Sequence, residues 1–62
     1  MVYDVSSFVF RMIKELQHCP YLYKSYVYSL ILAMRKNYGI QCAASDDEIY
    51  EEFKKAWNSC HM

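Results

Sequence analysis

The segment from Tyr21 to Met34 carries more apolar surface than so short a chain can cover. It reads YLYKSYVYSLILAM, with eleven apolar residues in fourteen, and at 100° per residue these fall on two stripes of a helix. The broader stripe is predicted to face the core and consists of Tyr23, Tyr26, Val27, Leu30, Ile31, Met34 and Tyr38. A narrower seam on the opposite side repeats at i, i+4, i+7 and i+11 and consists of Tyr21, Ser25, Tyr28 and Leu32. Because 62 residues cover one side of a helix but hardly both, the seam predicts contact with a partner.

A chain of this size needs support beyond its own core. With 62 residues it is predicted to form a single domain, residues 1–62, near the lower size limit for folding alone. Small scaffolds are usually stabilised further by disulfides, by a metal or by oligomerisation. The surplus apolar surface of the second helix favours oligomerisation.

The cysteines favour neither a disulfide framework nor a metal site. There are three, Cys19, Cys42 and Cys60, whereas secreted domains of this length normally carry an even set. Their ordinary interpretation is structural, since free cysteine behaves as a small buried apolar residue. His18 and His61 could complete a Cys₂His₂ zinc site, but the usual Cys-x₂₋₄-Cys knuckle is absent. The absence of that knuckle leads us to expect no bound metal, and no cofactor is expected either. No signal peptide is visible, so we expect an intracellular protein of the cytoplasm or nucleus.

Charge and apolar length exclude two further classes of partner as defaults. The formal net charge is zero, which removes the electrostatic argument for nucleic acid or anionic lipid. A membrane-spanning helix needs about 20 apolar residues, while the apolar run has fourteen positions and contains Lys24. We therefore expect no membrane span.

Three helices are predicted, at about residues 5–18, 20–38 and 46–60. Asp4 or Ser6 caps the first, and Pro20 suits the first position of the second. The second helix is expected to end at Gly39, with Ile40 folding back onto Met34 in a Schellman-type closure. The third is delimited by an S-x-x-E capping box made of Ser45 and Glu48.

The apolar faces of these helices predict an all-α fold, a small three-helix bundle. The second helix should be central because it has the widest apolar circumference. A histone-like dimer, in which the long middle helix crosses its symmetry mate, fits the same pattern. On helix 1, Phe10 lies away from the apolar arc and is a second candidate for a contact surface.

Catalytic chemistry finds little support. Capping and solvation explain the carboxylates at the start of helix 3, and Glu51 with Lys55 is expected to form an i, i+4 pair. Gly39 is the only glycine, so there is no Gly-rich phosphate loop. A cysteine nucleophile at Cys42 would need a base held in a shaped cleft, for which the chain offers little room. We expect no catalytic residue and no enzyme activity.

The sequence favours a protein–protein interaction module, acting as a homodimer, an adaptor or a small subunit of a larger complex. Tyrosine is the clearest sign, because it is awkward in a core and common in interface hot spots. Tyr23 and Tyr26 are expected in the core or at its edge. The predicted partner-binding residues are Phe10, Tyr21, Ser25, Tyr28 and Leu32.

The alternative is a nucleic-acid-binding helix-turn-helix formed by the second and third helices. The run from Lys24 to Trp57 resembles the first two helices of winged-helix domains in origin-recognition ATPases. Lys24, Arg35 and Lys36 could contact a phosphate backbone. The acidic start of helix 3 opposes this, because it would present three negative charges to the phosphates.

Overall fold

The computed structural model describes residues 2–19 and 22–60. In chain order its elements are β1 (Val2–Tyr3), α1 (Val5–Leu16), α2 (Lys24–Lys36), β2 (Gln41–Cys42) and α3 (Asp46–Cys60). The three predicted helices are all present, and the fold is a small all-α arrangement with one short strand pair added. None of the described helices has the length and apolar character needed to cross a membrane.

The start of α1 is fixed by its first polar side chain. The Asp4 carboxylate accepts a hydrogen bond from the Ser7 backbone N–H at 2.8 Å, as an N-cap does. This bond holds the pKa of Asp4 below its ordinary value. The helix ends at Leu16, two residues before the predicted end, and the Leu16 carbonyl accepts from the Cys19 N–H at 3.1 Å.

The second helix is shorter than predicted at both ends. It begins at Lys24 rather than at residue 20, and Tyr23 precedes it with extended backbone and no side-chain cap. Pro20 and Tyr21 lie outside the described residues. At the other end Gly39 has a φ of 64°, which only glycine adopts without strain. The Ile40 N–H then donates to the Met34 carbonyl at 3.0 Å, which is the predicted closure.

The third helix has the predicted bounds. The Ser45 hydroxyl accepts from the Glu48 N–H at 3.2 Å, and three acidic residues occupy the first turn. The expected pairing of Glu51 with Lys55 is wrong. Glu51 instead pairs with Lys54 at 3.3 Å, one residue nearer along the helix.

A strand pair that the sequence did not predict joins the beginning of the chain to the α2–α3 connection. β1 and β2 run parallel, with Val2 opposite Gln41 and Tyr3 opposite Cys42. Two residues are too few to show the alternation that marks a strand in sequence. The pairing buries Cys42 in the core.

The core gathers residues from all three helices and from the α2–α3 connection. α3 approaches both α1 and α2 closely, and its contact with α1 is the more extensive. The prediction that α2 is central is therefore wrong, and α3 occupies that position. The buried apolar residues are Phe8, Val9, Met12, Leu16, Val27, Ile31, Met34, Ile40, Cys42, Ile49 and Phe53.

The broad apolar face predicted for α2 is narrower than expected. Tyr23, Tyr26 and Tyr38 are 67%, 49% and 58% exposed, so their assignment to the core is wrong. Tyr23 and Tyr38 lie beyond the helix ends, where helical spacing no longer decides which way a side chain points. Tyr26 lies within α2, yet it is exposed and is not among the described side chains packed against the core.

Candidate partner-binding surface

Of the residues that the sequence grouped into one binding face, Ser25, Tyr28 and Leu32 lie on α2 and Phe10 lies on α1. Ser25 and Leu32 are exposed on α2, Phe10 is exposed on α1, and Tyr28 is half-buried. Tyr21 lies outside the described residues.

Tyr28 is engaged within the chain. Its hydroxyl donates to the Asp47 carboxylate at 2.6 Å, and its ring stacks on that of Tyr50 with centroids 5.0 Å apart. The hydrogen bond to Asp47 is the main cause that raises the pKa of Tyr28 to about 12, with desolvation and nearby negative charge adding to it. The Lys24 ammonium lies over both rings, 5.9 Å and 5.4 Å from their centroids. These contacts make Tyr28 part of the junction between α2 and α3.

Arg35 is engaged on the same flank of α2. Its Nε donates to Asp46 at 3.0 Å, and its two terminal nitrogens donate to the carbonyls of Cys42 and Ala44 at 3.0 Å and 2.7 Å. The guanidinium also lies over the Phe8 ring, 5.7 Å from its centroid. Arg35 thereby joins the end of α2 to β2 and to the start of α3. Its interpretation as a phosphate contact is not supported by this geometry.

The opposite flank of α2 carries an open depression with a volume of about 490 Å³. Two tyrosines line it, together with small residues that repeat at i, i+4 and i+8 along α2. We call this the α2 depression; its lining residues are Tyr23, Ser25, Tyr26, Ser29, Leu30 and Ala33.

Only Ser25 belongs to both the predicted face and the α2 depression. Ser29 and Ala33 were missed, although their spacing from Ser25 was visible as a line of small residues. The Cys19 thiol reaches the edge of this region and donates to the Tyr26 hydroxyl, with a sulfur–oxygen distance of 3.9 Å. The Tyr26 side chain is 49% exposed.

Phe10 belongs to a different part of the surface. It is 64% exposed and lines two cavities formed by β1, α1 and α3, neither of which includes a residue of α2. Phe10 was expected near the α2 seam, but neither of the two cavities that it lines contains a residue of that seam.

The thiols and carboxylates form no metal-binding group in the part of the chain that the structure describes. Cys42 is buried and Cys19 is half-buried, as expected of structural cysteines. The Cys60 side chain and His61 lie outside the described parts, so their suggested pairing falls there too. Asp46 and Asp47, which could have suggested a ligand pair, contact Arg35 and Tyr28.

Comparison with protein families, curated proteins and solved structures finds no match for this chain. Function is therefore inferred from the chemistry of the surface.

Proposed function

We propose that this chain is a small protein–protein interaction module that binds through the Tyr-rich surface of α2, with a second copy of the chain as its partner. The observation that carries the proposal is the α2 depression. It combines large exposed rings, which supply contact area with few rotatable bonds, with a gap above small side chains that can receive them.

The same surface offers both halves of a symmetric contact. In a two-fold dimer each patch meets its own copy, so it must be self-complementary. The Tyr26 side chain is 49% exposed, and it lines the α2 depression together with the small residues Ser29 and Ala33. A ring from one copy can occupy the α2 depression of the other.

Charge and size support self-association. The zero net charge means that copies of this chain do not repel one another as whole molecules. A standard interface takes roughly 800 Å² from each partner, close to a fifth of the 4432 Å² accessible surface. Burial on that scale would extend the small core of a 7.5 kDa chain. An intracellular setting, in the cytoplasm or nucleus, belongs to the same proposal because the thiols of Cys19 and Cys42 are free.

The helix-turn-helix alternative gains no observation in its favour. Of its three proposed phosphate contacts, Arg35 donates to Asp46 and to two carbonyls, and Lys24 lies over the rings of Tyr28 and Tyr50. The first turn of α3 also carries three carboxylates. We do not carry this function further.

The test is the mass of the protein in solution, measured by light scattering from about 10 µM to 1 mM. We expect the mass to rise above that of one chain as concentration increases. Ser29→Arg places a long charged side chain in the α2 depression, and Tyr26→Ser removes the exposed ring. Both variants should remain single chains over the same range while keeping the helical circular dichroism of the wild type.

Ser59→Arg is the matched control, since it adds the same charge at an exposed position of α3. It should associate as the wild type does. A wild-type chain that stays at 7.5 kDa throughout contradicts self-association. An oligomer that Ser29→Arg and Tyr26→Ser leave intact contradicts the assignment to this surface. Tyr28→Asp is a poor probe, because the new carboxylate would face Asp47 and disturb folding.

A further inference from the structure

A second cavity, which shares no lining residue with the α2 depression, lies along α1 beside β1. Its volume is about 390 Å³, and it is open to solvent. Two basic side chains, three hydroxyl groups and one exposed aromatic ring line it, and no carboxylate does. The lining residues are Tyr3, Ser6, Ser7, Phe10, Arg11 and Lys14.

The two basic side chains of this cavity have no carboxylate partner among the described residues. The basic side chains that do form ion pairs among the described residues are Arg35, Lys54 and Lys55. Arg11 and Lys14 instead lie over aromatic rings, Arg11 5.9 Å from the Tyr38 centroid and Lys14 5.7 Å from that of Phe10. Among the described residues, neither basic group of the cavity is therefore paired with a carboxylate.

The Arg11 guanidinium also has an unused donor. Its Nε is buried and has no hydrogen-bond partner among residues 2–19 and 22–60. Buried polar groups are nearly always hydrogen-bonded, so this nitrogen is an exception. An arginine fork is well suited to the oxygens of a phosphate, and a neighbouring lysine adds a point charge.

An apolar cavity adjoins the basic one. It has a volume of about 280 Å³ and shares Ser6 and Phe10 with the first. Its other walls are mainly the apolar side chains of Val5, Val9, Ile13 and Ala56. Glu52 also lines it, and its carboxylate pairs with Lys55 at 3.6 Å. A ligand with an anionic group and an apolar group could fill both cavities at once.

We propose that these cavities form a binding site for a phosphate monoester of an apolar alcohol. Arg11 and Lys14 hold the phosphate, the hydroxyls of Ser6 and Ser7 donate to its oxygens, and the apolar group lies against Phe10. The site goes beyond the proposed self-association, because it uses α1 and α3 and none of the α2 depression.

The test is an NMR titration of the backbone amides at low ionic strength with phenyl phosphate, inorganic phosphate and phenol. Phenyl phosphate should shift amides between residues 3 and 14 in a saturable way. It should bind at least about fivefold more tightly than inorganic phosphate, since it also buries a ring. Phenol should bind more weakly than phenyl phosphate, and added salt should weaken the binding of both anions.

Three variants assign the parts of the site. Lys14→Gln should weaken phenyl phosphate binding roughly threefold or more, and Arg11→Gln roughly tenfold or more, by loss of charge-assisted hydrogen bonds. Phe10→Ser should weaken phenyl phosphate binding more than inorganic phosphate binding, and so remove the preference for phenyl phosphate. Lys36→Gln is the matched control, because it makes the same charge change at an exposed site on α2.

Arg11 is half-buried, so Arg11→Gln could disturb folding. Lys14 and Phe10 are exposed, and their variants keep the test decisive in that case. Shifts scattered over the whole surface, or equal weakening by Lys14→Gln and Lys36→Gln, would show nonspecific ion binding and overturn the proposal. Failure of phenyl phosphate to bind more tightly than inorganic phosphate would overturn the apolar half of it.

Discussion

The two flanks of α2 carry similar residues but have different neighbours. On one flank Tyr28 and Arg35 contact α3 and the connection before it, through hydrogen bonds to Asp47, Asp46 and backbone carbonyls. On the other, the Tyr26 hydroxyl accepts from the thiol of Cys19, and the surface opens into the α2 depression. Amino-acid type alone therefore does not say which tyrosines are available to a partner.

The difference comes from acceptors supplied by another part of the chain. The acidic start of α3 lies beside Tyr28 and Arg35, so their donors are used internally. Nothing comparable faces Tyr26 among the described residues. A tyrosine without a strong internal acceptor can offer its hydroxyl and ring to a partner.

The largest expected effect is that of Arg35→Met on stability. Three hydrogen bonds are lost, and the Cys42 and Ala44 carbonyls and the Asp46 carboxylate lose their donor. We expect the free energy of unfolding in urea to fall by roughly 2 to 4 kcal/mol. Lys36→Met, at the exposed next position, should change it by less than about 0.5 kcal/mol. Equal effects of the two would show that Arg35 acts only through its charge at the helix end.

Removing single hydroxyl groups should compare the two flanks more directly. Tyr28→Phe removes the donor to Asp47 and should lower the thermal midpoint by a few degrees. Tyr26→Phe removes only the 3.9 Å contact with Cys19 and should leave the midpoint almost unchanged. If Tyr26→Phe lowered the midpoint more than Tyr28→Phe, the conclusion that Tyr26 lacks a strong internal hydrogen bond would be wrong.

The same hydroxyl should make stability depend on alkaline pH. A pKa raised to about 12 in the folded chain, against an ordinary value of 10.0, means that folding favours the neutral phenol. Its contribution is complete below pH 10 and is lost as the pH rises toward 12. The difference in thermal midpoint between wild type and Tyr28→Phe should therefore shrink across this interval. A difference that stays constant up to pH 12 would contradict the role of the hydrogen bond, and Tyr38→Phe serves as the control on an exposed ring.

The features that local sequence determines were predictable. Ser45 and Glu48 delimit α3 because a cap is formed within one turn. Gly39 and Ile40 close α2 for the same reason, since the bond from the Ile40 N–H reaches back only to Met34. Helix count and fold class followed from such signals together with apolar periodicity.

The features that depend on distant residues were not predictable in this way. The parallel pairing of Val2 with Gln41 joins segments about forty residues apart, and neither segment is long enough to show a strand pattern. Tyr28 was assigned to a free face because its neighbour Asp47 lies on another helix. The α2 depression was missed because three of its lining residues, Tyr23, Tyr26 and Leu30, were assigned to the core-facing stripe.

The smallest effect concerns Lys24, and it needs a double-mutant cycle. This lysine lies over the rings of Tyr28 and Tyr50, but it is also the first residue of α2, where positive charge opposes the helix dipole. Lys24→Gln alone therefore combines two opposing effects, and its change in stability should be close to zero. Tyr50→Leu removes one ring, so the difference between Lys24→Gln in the wild type and in Tyr50→Leu isolates the contact between ammonium and ring. We expect a coupling of about 0.5 kcal/mol, from urea unfolding of all four proteins. A coupling of zero would mean that the Lys24 ammonium does not stabilise the fold through these rings. The difference between the two flanks would then rest on the hydroxyl of Tyr28 and the guanidinium of Arg35.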